Sequence, residues 1–243
     1  MTVECDRDMI GIICKFINNN VSNSILEITS IITSNGMSHD EIENEEIVEI
    51  VVKNLTEFMP RKIGEKFKKI ENLVIQSSSL KFINRTDFLD NLTQLEVLSL
   101  FNNKIESIPH DAFYDLMLLR HLDIENNLIK FLEPNLLSNS IHLHVFAAGS
   151  NLIEIIHENF FENNPKLWKI LLNDNNITEF RYNFKKRLDL ENLKYVYVHN
   201  NPGLHCVAPV DYDENQGYPN FRIALSDLQN KIDANCEDID DYD

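Results

Sequence analysis

The sequence predicts an α/β, right-handed solenoid: a horseshoe with a parallel sheet on its concave face, a largely irregular convex side, disulfide-capped ends and a C-terminal cap helix. Three observations predict it. Leu95, Leu119, Leu143 and Leu167 stand 24 residues apart. After each of them apolar residues return at the fourth, sixth, eleventh and fourteenth positions. The ninth position is an asparagine every time: Asn103, Asn127, Asn151 and Asn175. A fixed period of this length marks stacked copies of one supersecondary unit, none of which buries its apolar face alone.

The copies can be taken in chain order. A degenerate first copy carries Ile47, Ile50 and Val52, and the next carries Ile70, Leu73, Ile75, Leu80 and Ile83 with Ser78 in the asparagine slot. The clear copies are Leu95, Leu98, Leu100, Ile105, Ile108; Leu119, Leu122, Ile124, Ile129, Leu132; Leu143, Phe146, Ala148, Ile153, Ile156; and Leu167, Ile170, Leu172, Ile177, Phe180. A last copy begins at Leu193 with Val196, Val198 and Asn201, and Phe88, Phe113, Leu137 and Phe161 recur late in their units. The repeats therefore occupy 47–205, about seven units. The fourth and sixth residues alternate with polar neighbours, as on one buried face of a short strand. The chain must then turn sharply inside the stack, where a buried asparagine can satisfy stranded backbone donors and acceptors alike.

A solenoid end exposes a slice of core, so both ends need covers. Residues 1–46 are expected to form an N-terminal cap containing Cys5, Cys14 and the Ile-rich stretch 25–32. Residues 206–236 are expected to form a C-terminal cap, in which Phe221, Leu225, Leu228 and Ile232 follow helical spacing behind Asn220. Residues 237–243 are an acidic tail. The cysteines lie only at the two ends, without the spacing or accompanying histidines of a zinc finger. Two local disulfides, Cys5–Cys14 and Cys206–Cys236, fit better than structural zinc and imply an oxidising compartment. The first residues do not read as a signal peptide, since acids precede a short apolar run. Either a leader has been removed or the protein stays inside the cell, and the cysteines favour the former.

The LxxLxLxxNxL pattern with cysteine-bearing ends resembles secreted leucine-rich-repeat proteins of the typical extracellular subclass. The stretch from Cys5 and Cys14 through "VEIVVKNLTEFMPRKIGEKFKKIENLVI" is similar to short secreted insect proteins of this class, and to the repeat half of mosquito immune leucine-rich proteins. It departs from the latter in having no coiled-coil segment after the repeats, and its C-terminal cap keeps two cysteines where many relatives have four. The resemblance implies a secreted, non-enzymatic protein that binds proteins or microbial surface molecules through its concave sheet, with innate immunity as the context.

Outward-facing positions are the third, fifth and seventh of each unit, with the second and eighth at the edges. The candidate ligand-binding residues are Val97, Ser99, Phe101, His121, Asp123, Glu125, Val145, Ala147, Gly149, Trp168, Lys169, Leu171, Asn173, Tyr195, Tyr197 and His199. Phe101, Leu171, Tyr195, Tyr197 and Trp168 supply the aromatic and apolar anchors of a protein-binding surface. Arg120, His121, Asp123 and Glu125 form a charged island, and Ala147 with Gly149 is expected to leave a dip in the sheet where a partner comes close. The runner-up reading is a structural or adhesion protein, a matrix spacer or a homodimer.

Other chemistries are weaker fits. Ser99, His121 and Asp123 lie on adjacent strands, but an open sheet supplies neither an oxyanion hole nor a water-excluding pocket. His142 and His144 lack an obvious third metal ligand, and no phosphate-binding glycine loop exists, so no cofactor is expected. With 22 basic and 39 acidic residues the net charge is -17, which disfavours nucleic acid and anionic membranes. No apolar run reaches the ~20 residues of a membrane span. Asn20, Asn54, Asn84, Asn91 and Asn176 begin sequons, expected as glycosylation sites of a secreted chain, and none occupies an outward sheet position.

Overall fold

Wherever the fourth and sixth residues of a unit are apolar, the chain is extended, and the computed structural model stacks these segments in register. It describes residues 2–8, 11–17, 26–33, 47–53, 68–83, 89, 91–183, 193–204, 229–230 and 232. The repeat strands are β5 (Asn72–Gln76), β6 (Val97–Ser99), β7 (His121–Asp123), β8 (Val145–Ala147), β10 (Lys169–Leu171) and β12 (Tyr195–Tyr197). All pair parallel, with Leu73, Leu98, Leu122, Phe146, Ile170 and Val196 in one row. Each residue of that row is fully buried.

The degenerate first copy obeys the same register. Strand β4 (Ile47–Lys53) pairs parallel with β5, setting Ile50 beside Leu73 and Val52 beside Ile75. Before it, β1 (Thr2–Asp8), β2 (Gly11–Ile17) and β3 (Leu26–Thr33) extend the sheet antiparallel, so one ten-stranded sheet runs β1-β2-β3-β4-β5-β6-β7-β8-β10-β12. The β1–β2 register places Cys5 opposite Cys14. Two further short strands, β9 (Ile155–Ile156) and β11 (Glu179–Phe180), pair parallel in a separate sheet.

Helix is scarce among the described residues, in line with the expected irregular convex side: the coils return through turns, with a 3-10 turn at Pro202–Leu204. A 24-residue unit spends its length on a strand, two bends and a short return, leaving too little chain for a regular helix. Of the expected C-terminal cap helix only Gln229, Asn230 and Ile232 are described; all three are helical, and Ile232 joins the core. Cys206, Cys236, Phe88 and the rest of that cap lie outside the described residues.

The asparagine positions behave as the turn demands. Asn151 donates to the Ile124 carbonyl of the preceding coil (2.9 Å) and to Ala148 of its own (3.2 Å), while its Oδ1 accepts the Ile129 N–H (3.1 Å). Asn103, Asn127, Asn175 and Asn201 repeat the same three contacts one coil apart. Asn164 is a buried asparagine outside this ladder, holding the carbonyls of Leu137 and Ser140 on the far side of the coil. The residue before each ladder position, including the one held by Ser78, takes the left-handed conformation: Ser77, Asn102, Asn126, Ser150, Asp174 and Asn200 have φ between 52 and 57°. Asn, Asp and Ser tolerate that region better than larger residues.

Aromatic rings cluster in the core of the coil starting at Leu143. Phe146 fills the space left by the wholly buried Ala148 and meets Phe160 and Phe161 edge-on, with centroids 5.5 and 5.6 Å away. Phe161 in turn meets Tyr182 at 5.3 Å. Replacing Asn151 with Ala leaves the Ile129 N–H unpaired in the core and removes one of the two asparagine donors from each of the Ile124 and Ala148 carbonyls, and should cost about 3 kcal/mol in urea unfolding. At the neighbouring left-handed position, Ser150→Val should cost about 1–2 kcal/mol and Ser150→Gly nearly nothing. Equal losses for the two Ser150 variants would show that the backbone there is not strained for side chains.

Candidate binding face

The register that buries the fourth and sixth positions turns the third, fifth and seventh outward. One row carries Val97, His121, Val145, Lys169 and Tyr195, and the next carries Ser99, Asp123, Ala147, Leu171 and Tyr197. The seventh-position row, Phe101, Glu125, Gly149, Asn173 and His199, follows at the strand ends. All the candidate residues other than Trp168 occupy these three rows. Strands about 4.8 Å apart cover one another's side chains, so Phe101, Leu171, Tyr195 and Tyr197 are half-buried rather than exposed. Among the aromatic anchors only Trp168 is exposed, at 37%.

The anticipated dip at Ala147 and Gly149 is filled. Ala147 is 2% exposed, and Glu125 Oε1 lies 2.7 Å from the point a Cβ on Gly149 would occupy. Asn173 Oδ1 closes the other side at 3.2 Å. The small residues do create a pit, and the carboxylate of the neighbouring coil leans into it. A substitution at Gly149 must displace Glu125 before it can meet a partner.

That placement shapes the electrostatics. Ser99 Oγ donates to Asp123 Oδ2 (2.9 Å), and Asp123 Oδ1 accepts the Glu125 N–H (3.0 Å). Burial raises the Glu125 pKa above the ordinary carboxylate value, and the neighbouring Asp123 charge raises it further against the pull of Lys169. Burial also lowers the His121 pKa, opposed by Asp123 and assisted by Lys169. Asp174 moves the other way, lowered because Asn200 Nδ2 (2.7 Å) and Asn173 Nδ2 (2.6 Å) donate to its carboxylate. Arg120, expected in the island, is turned to the edge and paired with Glu96 at 3.1 Å.

Towards β12 the face becomes aromatic. Trp168 and Tyr195 meet edge-on at 5.2 Å, and Lys169 Nζ lies 5.9 Å from the Tyr197 ring centre. The Ser99 hydroxyl is spent on Asp123 rather than offered to a histidine, an order unlike that of a nucleophilic triad. His142 Nδ1 is occupied by Lys166 Nζ at 2.8 Å, and among the described residues no group of His, Cys, Asp and Glu is arranged to hold a metal. Asn91 and Asn176 are exposed at their sequons; Asn20, Asn54 and Asn84 lie outside the described residues. Sequence reasoning missed the most exposed apolar side chains, Phe82, Tyr114, Met117, Leu128, Phe131 and Ile141, because their positions within the unit are not apolar in every copy.

Residues 68–129 match the leucine-rich-repeat family model. No curated protein matches the chain. Among the 227 solved chains that match is a leucine-rich-repeat protein of Leptospira interrogans, 23% identical, with a TM-score of 0.53. The match covers 70% of this chain and 38% of that one. The fold is that of a leucine-rich-repeat solenoid. Among the described residues no helix is long and apolar enough to cross a membrane.

Glu125 gives the face a pH signature. Its raised pKa means the folded chain holds that proton more tightly than the unfolded one. The resulting stabilisation is present below the ordinary carboxylate value and lost as pH rises through the folded-state value. Glu125→Gln should therefore raise Tm at pH 7, with the gain disappearing below about pH 4. A gain that is the same at both pH values would contradict this origin.

Proposed function

We propose that this chain is an extracellular recognition module that docks a protein ligand, or a molecule of a microbial surface, on the concave face of its solenoid. Leucine-rich-repeat solenoids commonly use their extended concave sheets to bind proteins. The observation that carries the reading here is the composition of the face. An aromatic end (Trp168, Tyr195, Tyr197) adjoins a polar and acidic centre (Asp123, Glu125, Asn173) on one rigid sheet. Aromatic anchors beside a few fixed polar groups are the arrangement in which a handful of contacts dominates affinity. Recognition requires no chemistry from these residues.

Secretion, with innate immunity as the context, belongs to the same proposal. Its support is the placement of Cys5 opposite Cys14 across β1 and β2, the separation expected of a cross-strand disulfide, together with exposed sequons at Asn91 and Asn176. Intact mass of the secreted protein under non-reducing conditions should show four fewer hydrogen atoms than the reduced chain, two for each disulfide. An unchanged mass would remove the oxidising-compartment argument.

Affinity capture from extracellular fluid supplies the ligand for the central test. Phe101→Ala with Tyr197→Ala should weaken capture at least about a hundredfold, as paired hot-spot losses do, while the circular dichroism of the solenoid stays unchanged. Undiminished capture by a folded double variant would place the ligand elsewhere.

A further inference from the structure

Beyond the concave face, the side chains that follow each ladder asparagine form a flank of their own. Successive coils present Lys104, Glu106 and Ser107, then Leu128, Lys130 and Phe131, then Leu152, Glu154 and Ile155, then Asn176, Thr178 and Glu179. Backbone bonds hold these segments side by side: Leu128 N to Ile105 O (2.8 Å), Leu152 N to Ile129 O (2.9 Å) and Asn176 N to Ile153 O (3.0 Å). The β9–β11 pair continues the same flank. The two middle coils therefore set four apolar side chains in a block. Leu128 is 42% and Phe131 44% exposed, Leu152 and Ile155 are half-buried, and Phe131 is steadied edge-on by His157 at 5.5 Å.

Lys130 and Glu154 rise from the same block. Both are exposed, and neither takes part in an ion pair among the described residues, whereas Glu179 at the margin is occupied by Arg181. The pattern is self-complementary. A two-fold axis between the coils starting at Leu119 and Leu143 brings Leu128 against Leu152 of a second copy, Phe131 against Ile155, and Lys130 against Glu154. Each contact is then made twice, as in any isologous interface.

We propose that this flank is the contact surface of a two-fold homodimer, with a second copy of this chain as its occupant. Water leaves the apolar block, and the two lysines and two glutamates at its centre exchange partners across the axis. The interface is separate from the concave face and does not depend on what that face binds. A dimer joined at its flanks carries two concave faces, so a ligand displayed in multiple copies would be held by avidity. The block is smaller than the ~20–30 residues a side of a standard interface, which places the dimer at roughly micromolar strength.

The full chain, run in sedimentation equilibrium across the micromolar range, should show a monomer–dimer equilibrium. Lys130→Glu or Glu154→Lys alone creates two like-charge contacts and should weaken the dimer about tenfold or more. The two substitutions together restore opposite charges and should recover it. Leu128→Lys should leave a folded monomer. A chain that is monomeric throughout, single reversals without effect, or a double variant that stays as weak as the singles would each overturn the proposal. Because Asn176 stands at the rim, Asn176→Gln is run alongside; dimerisation confined to that variant would overturn the proposal for a glycosylated protein. Capture of ligand by the concave face should be the same per chain in Leu128→Lys, so failure of the dimer and failure of the recognition reading are told apart.

Discussion

Each coil from Leu95 onward contains a sharp bend buried in apolar surroundings, and a bend strands backbone groups that a strand or helix would pair. The ladder asparagine resolves that conflict. Its amide group donates to carbonyls of two coils, and its carbonyl accepts an N–H from the preceding one. An aliphatic residue of similar volume would fill the space, leave that N–H unpaired and weaken the bonding of the two carbonyls, at a cost larger than its own burial returns. With the bend fixed, the strand before it has a defined end, and the next strand must lie in register beside it. The apolar rows and the outward rows follow from that register.

The concave face shows how one coil's side chains are set by its neighbours. Gly149 has no interior role; its lack of a Cβ matters because Glu125 from the adjoining coil occupies that space. Held there beside Asp123, Glu125 ionises less readily than a carboxylate in water. At the other end Trp168 and Tyr195 stiffen one another edge-on, so an aromatic contact is already formed before any ligand arrives. A surface with its side chains fixed in advance loses less conformational entropy on binding than one with free rotamers.

Period and alternation made the solenoid, its register and its asparagine ladder readable, because these depend on residue type at fixed spacing. Even the degenerate copy at Ile47, Ile50 and Val52 fell where that spacing put it. What stayed hidden depends on pairs of coils rather than on one position. The pit at Ala147 and Gly149 was legible as missing volume, but its occupation by Glu125 required knowing which way a neighbour's side chain leans. Asn164 escaped notice because it does not recur, and the apolar flank of Leu128 and Phe131 because Lys104 and Ser107 hold the same slots one coil earlier. The left-handed conformation at Ser150 and its counterparts was masked by a mixture of Ser, Asn and Asp that reads simply as polar.

The ladder also bears on how such a chain can lengthen or shorten. Each asparagine asks its predecessor for the same items, one carbonyl and one N–H of the main chain, and never for a particular side chain. A coil copied or deleted whole meets the same backbone groups at both of its joins. Such joints are indifferent to the identity of the units they connect, so a gene of this kind can change its number of repeats without inventing a new contact. The outward rows, which no joint reads, are left to diversify.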